Sequence, residues 1–436
     1  MSSTAAVSLD QPVFAVPEEN LIPANNYLSR QYTIPPSRMF LIKKSLAVYR
    51  QNNPGSPVYD ASQGDGGESL PGAPRRLLER AAQLQIEHGT AYDMPYGSDD
   101  FRRAVIEAYW QVDSDLGIGP ANVLSAVGGR DALTKAYQAM LNLGHGRIGD
   151  AIITSRVPWI SYNWGPYAVG ANVLRAPGRP AEGWAFTPEN IQETVLFAEG
   201  HGRKAAGIII TSPDNPTGAT LTPERQAELG HAALEAGVAY VLYDWMYHYV
   251  TDEQPVDINV FLRQFSPAER ARIMILDGLT KSLGGSNIRS AHLIAAEPVV
   301  KYIVANASHG VIPPYFAGAV AIAAYEEGYA AACKVIVEPT NASRQVLRAG
   351  LQAAGYQFIL GQGYYAFINV GPWLEKAGWA DSEPLGQYLG EQFGLAIVPG
   401  VYFSPDGGQW VRFSYATPPE RTQGALERLN QGLAAL

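Results

Sequence analysis

From about residue 120 the chain alternates short, unbroken apolar runs with longer stretches in which apolar residues recur every three or four positions. The runs are "NVLSAV", "DAIITS", "ANVLRA", "AGIIITS", "AYVLYD", "RIMILDG" and "HLIAAE". A strand with one wet face would alternate polar and apolar residues. A run without that alternation is a strand covered on both faces. Covered strands joined by helices form a mostly parallel sheet, so the pattern predicts an α/β sheet domain in the middle of the chain.

The flanks read differently. Residues 1 to about 35 are rich in Ser, Pro and Asn with little periodicity, which predicts an arm more than a core element. "RMFLIKKSLAVYRQN" then places Met39, Leu41, Ile42, Leu46 and Val48 at helical spacing. Beyond "IPPYFAGAVAIAAYEEGY" the alternation stops, and a long helical pattern is expected to be interrupted at Pro339. Three strand candidates follow, "YQFILGQGYYAFINV", "GLAIVPG" and "QWVRFSYAT", then a closing helix, "PPERTQGALERLNQGLAAL". This end predicts a smaller α/β domain. The sequence shows no internal repeat and no low-complexity tract.

Composition narrows the class. With 436 residues, 47% hydrophobic and 17% charged, the chain has the make-up of a globular protein with a large core. Its 41 acidic and 32 basic residues give a net charge of −9, which argues against nucleic acid or an anionic membrane as a general partner. A local basic pocket for one small anion is compatible with that charge. The single cysteine, Cys333, allows no intrachain disulfide and no cysteine-cluster metal site, and the seven histidines show no HExxH spacing. No metal is expected. The N-terminal residues lack a basic segment followed by an apolar core, and no run approaches the roughly 18 apolar residues of a spanning helix. The expected location is cytoplasmic.

In open α/β sheets ligands gather at the carboxyl ends of the strands, and four motifs fall there. In "SAVGGRDAL" a strand runs through Gly128, Gly129 and Arg130 into a helix, a turn that needs glycine in any case and that also offers amides to an anion. "SPDNPTGATLTPE" is a strand-to-helix loop in which Asn215 supplies a side-chain amide and Thr222 with Glu224 begins the next helix. "YVLYDWMYHYV" ends an apolar strand on Asp244, a helix cap or a carboxylate that meets a cation or donor, with Tyr247 three residues on. "LTKSLGGSNIRSAHLIA" holds Lys281 and Arg289 among small residues. A desolvated lysine becomes a nucleophilic amine, and an arginine grips phosphate with two parallel hydrogen bonds. Together these are the needs of pyridoxal 5′-phosphate: an amine for its aldehyde, a phosphate cradle, a donor to its ring hydroxyl and an acid for its ring nitrogen.

With these motifs the sequence resembles the fold type I pyridoxal-phosphate enzymes, specifically the class I/II aminotransferases related to aspartate aminotransferase, from about residue 60 to the C-terminus. "SPDNPTG" is similar to the family's NPTG loop, which would put Asn215 on the ring hydroxyl. "YDWMYHYV" resembles its D-x-x-Y segment, which implies Asp244 at the ring nitrogen and Tyr247 at the ring hydroxyl. "TKSLGGSNIRSAHLIA" resembles the SK…R-x-G-Y element, making Lys281 the Schiff-base lysine and Arg289 a phosphate ligand. "VGGRDAL" then turns the amides of Gly129 and Arg130 to the phosphate, and "VPWISY" lays Trp159 over the cofactor. "YDMPYGSDDFRRAV" implies that Tyr92 reaches the phosphate of a neighbouring subunit, hence a homodimer with shared sites. The closing "IVPGVYFSPDGGQWVRFSYAT" makes Arg412 the ligand of the substrate α-carboxylate, with Gly64 of "DASQGDGGESL" beside it.

The resemblance implies a large domain over residues 66–324 with a mostly parallel seven-stranded sheet. It implies a small domain from residues 36–65 and 325–436, after an arm over residues 1–35. Several positions depart from the family pattern. Gly278 stands where the family has a hydroxyl residue three before the lysine, with Thr280 as the candidate replacement. Asn287 stands where a glycine often precedes the arginine, and asparagine tolerates a positive φ. Ala291 and His292 replace the usual Gly-Tyr. "QGDGGESL" lacks the common Pro-Asp, and Asp65 and Glu68 are expected in a solvated loop or facing the substrate.

The implied reaction is transfer of an α-amino group between an L-amino acid and a 2-oxo acid. The alternatives on the same fold are elimination, cyclisation or oxidation of an amino acid, guanidino amino acids included. A ligand-sensing domain would need a DNA-binding segment, and a dinucleotide-binding protein would leave Lys281 without a role.

Overall fold

The computed structural model describes residues 38–436. The expected arm over residues 1–35 lies outside them. The chain enters through the helix Met39–Asn52 and a two-residue strand, β1 (Tyr59–Asp60). All seven apolar runs then become strands of one sheet: β2 (Val123–Val127), β3 (Ala151–Thr154), β4 (Asn172–Arg175), β5 (Ala205–Thr211), β6 (Tyr240–Asp244), β7 (Ile273–Gly278) and β8 (Ser290–Ile294). Their order is β2-β8-β7-β6-β5-β3-β4. Neighbours from β7 to β4 are parallel, whereas β8 runs antiparallel to both β7 and β2.

The packing explains the unbroken runs. Ile208, Ile210, Val241, Tyr243, Ile273 and Ile275 face one buried cluster with Phe261 and Phe265. The alternate positions Ile209, Leu242, Met274 and Leu276 face a second cluster with Ala136 and Met140 of the helix Gly129–Gly144. Both faces of these central strands are therefore dry, and neither needs polar residues, whereas the edge strand β4 is half-buried throughout. The loop after β5 closes as expected, with Thr222 accepting from the Arg225 amide (3.2 Å) at the start of the helix Pro223–Glu235.

A second, antiparallel sheet carries the C-terminal residues. Its strands are β9 (Phe358–Ile359), β10 (Tyr365–Asn369), β12 (Val398–Pro399) and β13 (Trp410–Ser414), in the order β12-β13-β10-β9, while β11 (Leu395–Ala396) pairs with β1. Leu347, Leu351, Ile368, Leu389, Val411 and Phe413 fill a separate core beneath it. Two of the three expected strands are thus each divided in two. Pro339 also behaves differently from expectation: the helix Tyr329–Ala353 runs through it. The helix is held on both sides by burial, with Ile336, Leu347 and Leu351 fully enclosed, which offsets the one backbone bond that proline removes.

Two departures noted in the sequence prove to be neighbours. Gly278 and Ala291 face each other across the β7–β8 ladder. A Cβ on residue 278 would stand 2.6 Å from the Ser290 carbonyl oxygen and 2.9 Å from the Ala291 Cβ. The tightest of these contacts are with backbone atoms, the Ser290 oxygen and the Ala291 Cα (2.8 Å), so residue 278 has no room for a side chain. The positive φ of the following turn also sits elsewhere than expected. Asn287 does not adopt it; Arg289 does, at φ 63°.

Candidate active site

The ends of β2, β3, β5, β6 and β7 open on a cavity of about 290 Å³. Gly129, Arg130, Trp159, Asn215, Asp244, Tyr247, Thr280, Lys281 and Arg289 all line it, joined by Leu133, Tyr162, Met246 and Ser286. Nine residues singled out from five separate stretches of sequence meet there.

One end is built for an anion. Gly128 caps the helix Gly129–Gly144 at φ 77°, and the Arg289 guanidinium lies where a Cβ on residue 128 would be. Only glycine admits both. Arg289 is anchored by the carbonyls of Ser286 (2.9 Å) and Val127 (3.1 Å). Its left-handed backbone costs roughly 1–2 kcal/mol for a non-glycine residue, and that strain lies at a side chain held against the cavity. Helix N-terminal amides and a guanidinium at one wall make a phosphate cradle. The hydroxyl of Thr280 is buried here without a partner, as is the Nε of Arg412 at the other end.

In the floor, Asp244 is almost wholly enclosed, at 4% exposure. Its Oδ2 accepts from the Tyr162 hydroxyl (2.6 Å) and its Oδ1 from the Met246 amide (3.1 Å). Burial pushes the carboxyl up to about 6, against the two donors; Asp277 adds to the rise and Lys281 opposes it. The Lys281 ammonium donates to the Gly64 carbonyl and lies 5.5 Å from the centre of the Tyr247 ring. Burial lowers its pKa, Tyr365 and Asp65 act against that fall, and Arg412 and Arg130 add to it. Tyr364 fixes the backbone of the same residue by donating to the Lys281 carbonyl (2.5 Å).

At the far end Arg412 reaches in from β13. It donates to Asn215 Oδ1 (2.9 Å) and to the Ser62 carbonyl (2.8 Å), and stacks between the rings of Tyr365 (4.2 Å) and Phe403 (5.2 Å). The Tyr247 hydroxyl meets that of Tyr365 at 3.1 Å. Gly64 is confined: a Cβ there would stand 2.9 Å from the Tyr365 hydroxyl and 3.7 Å from the Lys281 Nζ.

Arg412 and Gly64 stand beside the cavity without lining it, and three further expectations fall away from it. Tyr92 is 96% exposed, so within one chain it touches no part of the site. Glu68 is exposed and lies 3.5 Å from Lys43, in line with a solvated loop, whereas Asp65 is half-buried and accepts from the Gly67 amide (2.9 Å) to cap a short turn. Conversely, the sequence pattern does not single out Tyr162. Its one signal is its place three residues after Trp159, which puts both at the start of the helix Ile160–Trp164.

The donor set fits pyridoxal 5′-phosphate. It offers an amine of lowered basicity, a carboxylate in the floor, the side chains of Asn215 and Tyr247, an anion cradle, and the unpartnered Thr280 hydroxyl on the cradle side. Among the described residues no group of acids, histidines or cysteines is placed to hold a metal, and no helix is long and apolar enough to cross a membrane.

The comparisons agree with this geometry. The family model described as aminotransferase class I and II matches residues 62–429. The chain is 27% identical to an aspartate aminotransferase of Geobacillus stearothermophilus over 83% of its own length and 88% of that protein. It is 26% identical to an aspartate/prephenate aminotransferase of Thermus thermophilus over 81% and 86% of the two. Its fold matches that of a Thermus thermophilus aspartate aminotransferase variant with a TM-score of 0.78 at 24% identity, over 94% of this chain and all of that one. A family model spanning the sheet, the cavity and Arg412 leaves one conclusion: the chain belongs to the class I and II aminotransferases, enzymes that use pyridoxal 5′-phosphate.

Proposed function

We propose that the chain exchanges an α-amino group between an L-amino acid and a 2-oxo acid, with Lys281 as the catalytic residue and a dicarboxylate as one of the two substrates. The observation that carries the reading is the half-buried amine of Lys281 in the cavity wall, with the buried guanidinium of Arg412 joined to the same wall through Asn215. The bound cofactor supplies an aldehyde for amines and an electron-withdrawing ring for the electrons left at the substrate Cα. The residues do the rest. Asn215 and Arg412 orient the substrate α-carboxylate, which takes over donors now spent on each other and on Ser62. The Lys281 Nζ, already depressed in basicity, removes the Cα proton and returns one as general acid. Asp244 holds a charge against the ring nitrogen, and Gly129, Arg130, Thr280 and Arg289 hold the phosphate.

Arg130 supports the dicarboxylate. It is exposed at the mouth, its guanidinium lies 5.5 Å from the Trp159 ring, and among the described residues it is in no ion pair with an acid. The relatives named as aspartate aminotransferases support the same class. They also favour transfer over the elimination, cyclisation or oxidation alternatives.

The working unit of the proposal is a cytoplasmic homodimer. Ile86, Tyr92, Met94 and Val311 are each more than half exposed, and a second copy covering them would bring its own Tyr92 to this site. In the proposal the large domain (66–324) supplies the cavity lining, and the small domain (residues 36–65 and 325–436) brings Arg412 beside it. The test is a set of half-reactions: the loaded enzyme, mixed with single amino acids, should yield the matching 2-oxo acid in a one-to-one ratio with the aminated cofactor. Ammonia or peroxide in its place would overturn the reading.

A further inference from the structure

One buried amide outside the cavity is committed at both ends. Asn163 is 3% exposed in the short helix Ile160–Trp164, whose N-cap, Trp159, lines the cavity. Its Nδ2 donates to the Phe403 carbonyl (2.6 Å), and its Oδ1 accepts from Arg175 Nε at the end of β4 (2.9 Å). An arginine only donates and a carbonyl only accepts, so the two partners fix which way the amide points. Aspartate has no donor for Phe403, and leucine, of similar size, has neither group.

Phe403 follows the turn Gly400–Tyr402 and is 1% exposed. Its ring centre lies 5.2 Å from the guanidinium carbon of Arg412, and that of Tyr365 lies 4.2 Å from the same atom. An arriving carboxylate takes over the Arg412 donors now given to Asn215 and Ser62, while the Nε has no partner to begin with. During that exchange the two rings keep the guanidinium in place. Phe403 is itself anchored from β3 and β4. Besides Asn163, Asp406 of the same segment pairs with Arg156 (2.9 Å), just after β3. That pair is more than a third exposed on both sides and contributes little. The enclosed amide is the stronger tie.

We propose that Asn163 is a positioning residue for the substrate α-carboxylate. By holding the Phe403 carbonyl it keeps that ring against Arg412, so the guanidinium is held in one plane for the carboxylate. Trp159, at the start of the same helix, joins this seat to the cavity wall. The inference rests on Arg412 as the ligand of that carboxylate, as proposed above. Asn163 does not line the cavity, so it acts on binding and not on proton transfer. A uniform loss of binding raises KM and leaves kcat in place.

The experiment uses the full-length enzyme loaded with pyridoxal phosphate. It measures kcat and KM with the best amino donor, and by calorimetry the Kd of succinate, a dicarboxylate without an amine. Asn163→Leu removes both bonds, whereas Asn163→Asp removes only the donor to Phe403 and keeps an acceptor for Arg175. Each should raise KM and the succinate Kd about tenfold, the size of one buried hydrogen bond, with kcat close to wild type. A purely structural role lowers the melting temperature of Asn163→Leu with both constants unchanged, and that result overturns the proposal. So does a fall in kcat at unchanged KM, or an Asn163→Asp protein that binds succinate like the wild type. Should Asn163→Leu fail to fold by circular dichroism, Asn163→Asp carries the test on the same readings. Combining Asn163→Asp with Arg412→Ala separates the two levels of the argument. Because Asn163 acts through Arg412, its substitution should add nothing to the loss in kcat/KM once that guanidinium is gone. A further tenfold loss in that background overturns the inference alone. A kcat/KM unmoved by Arg412→Ala removes the reading of Arg412 beneath it.

Discussion

The cavity floor and the surface around Tyr92 are opposite kinds of region. In and around the cavity the charged groups find partners in the same chain: Lys281 in Gly64, Asp244 in Tyr162 and Met246, and two of the Arg412 nitrogens in Asn215 and Ser62. At the surface Tyr92, Ile86 and Met94 stand 96%, 74% and 56% exposed with no apolar cover. The difference shows which parts of a site one chain completes alone. Polar groups are preorganised where burial makes an unpaired group costly. Apolar groups left in water mark the place where a second surface belongs.

The most severe way to break the floor is Lys281→Ala. Loss of the amine should lower turnover by at least about 10²–10⁴, the range of general acid–base catalysis, measured with the best amino donor. Activity within tenfold of wild type would remove Lys281 from the mechanism. Arg412→Ala should cost roughly 3 kcal/mol, about a hundredfold in kcat/KM, as for one partner removed from a buried charge pair; an effect confined to thermal stability would argue for mere packing.

Asp244→Asn sharpens the comparison, because a strained floor is less stable without its ligand. The carboxyl is raised from 3.8 to about 6 in the folded chain. A raised acid contributes its stability fully below the unfolded value and loses it as pH rises through the folded one. The cofactor-free Asp244→Asn protein should therefore be more stable than wild type at pH 7.5 by about 1–3 kcal/mol. The gap should close towards pH 4, as followed by thermal unfolding.

Gly278→Ser tests that close approach. Overfilling the site should destabilise by about 1–3 kcal/mol, and Ala291→Gly in the same chain should restore only part of it, because the nearest atoms are backbone. Additive losses would mean the two positions are independent. The smallest expected effect is at the surface: Tyr92→Phe should weaken cofactor retention about tenfold at most, one charge-assisted hydrogen bond, and only where the protein is dimeric by sedimentation.

Much of this was legible in the chain. Most of the seven strands announced themselves because both faces are dry, the edge strand β4 being only half-buried, and the motifs followed because chemistry at strand ends requires particular side chains. What stayed hidden depends on distant neighbours. Tyr162 is one more aromatic in a short helix until β6 brings Asp244 against it. Gly278 and Ala291 read as two departures until the ladder pairs them. The positive φ was expected at Asn287, whose side chain tolerates it locally, but tertiary anchoring at Ser286 and Val127 moves it to Arg289. "GLAIVPG" read as one strand, yet its halves pair with different partners, β1 and β13.

The central claim is that the cavity binds pyridoxal phosphate through the amine of Lys281. Borohydride reduction of the loaded enzyme followed by peptide mass mapping tests it most directly. The cofactor's mass should appear on the peptide carrying Lys281 and on no other. Its appearance on a different lysine, or its absence from every peptide, would contradict the account.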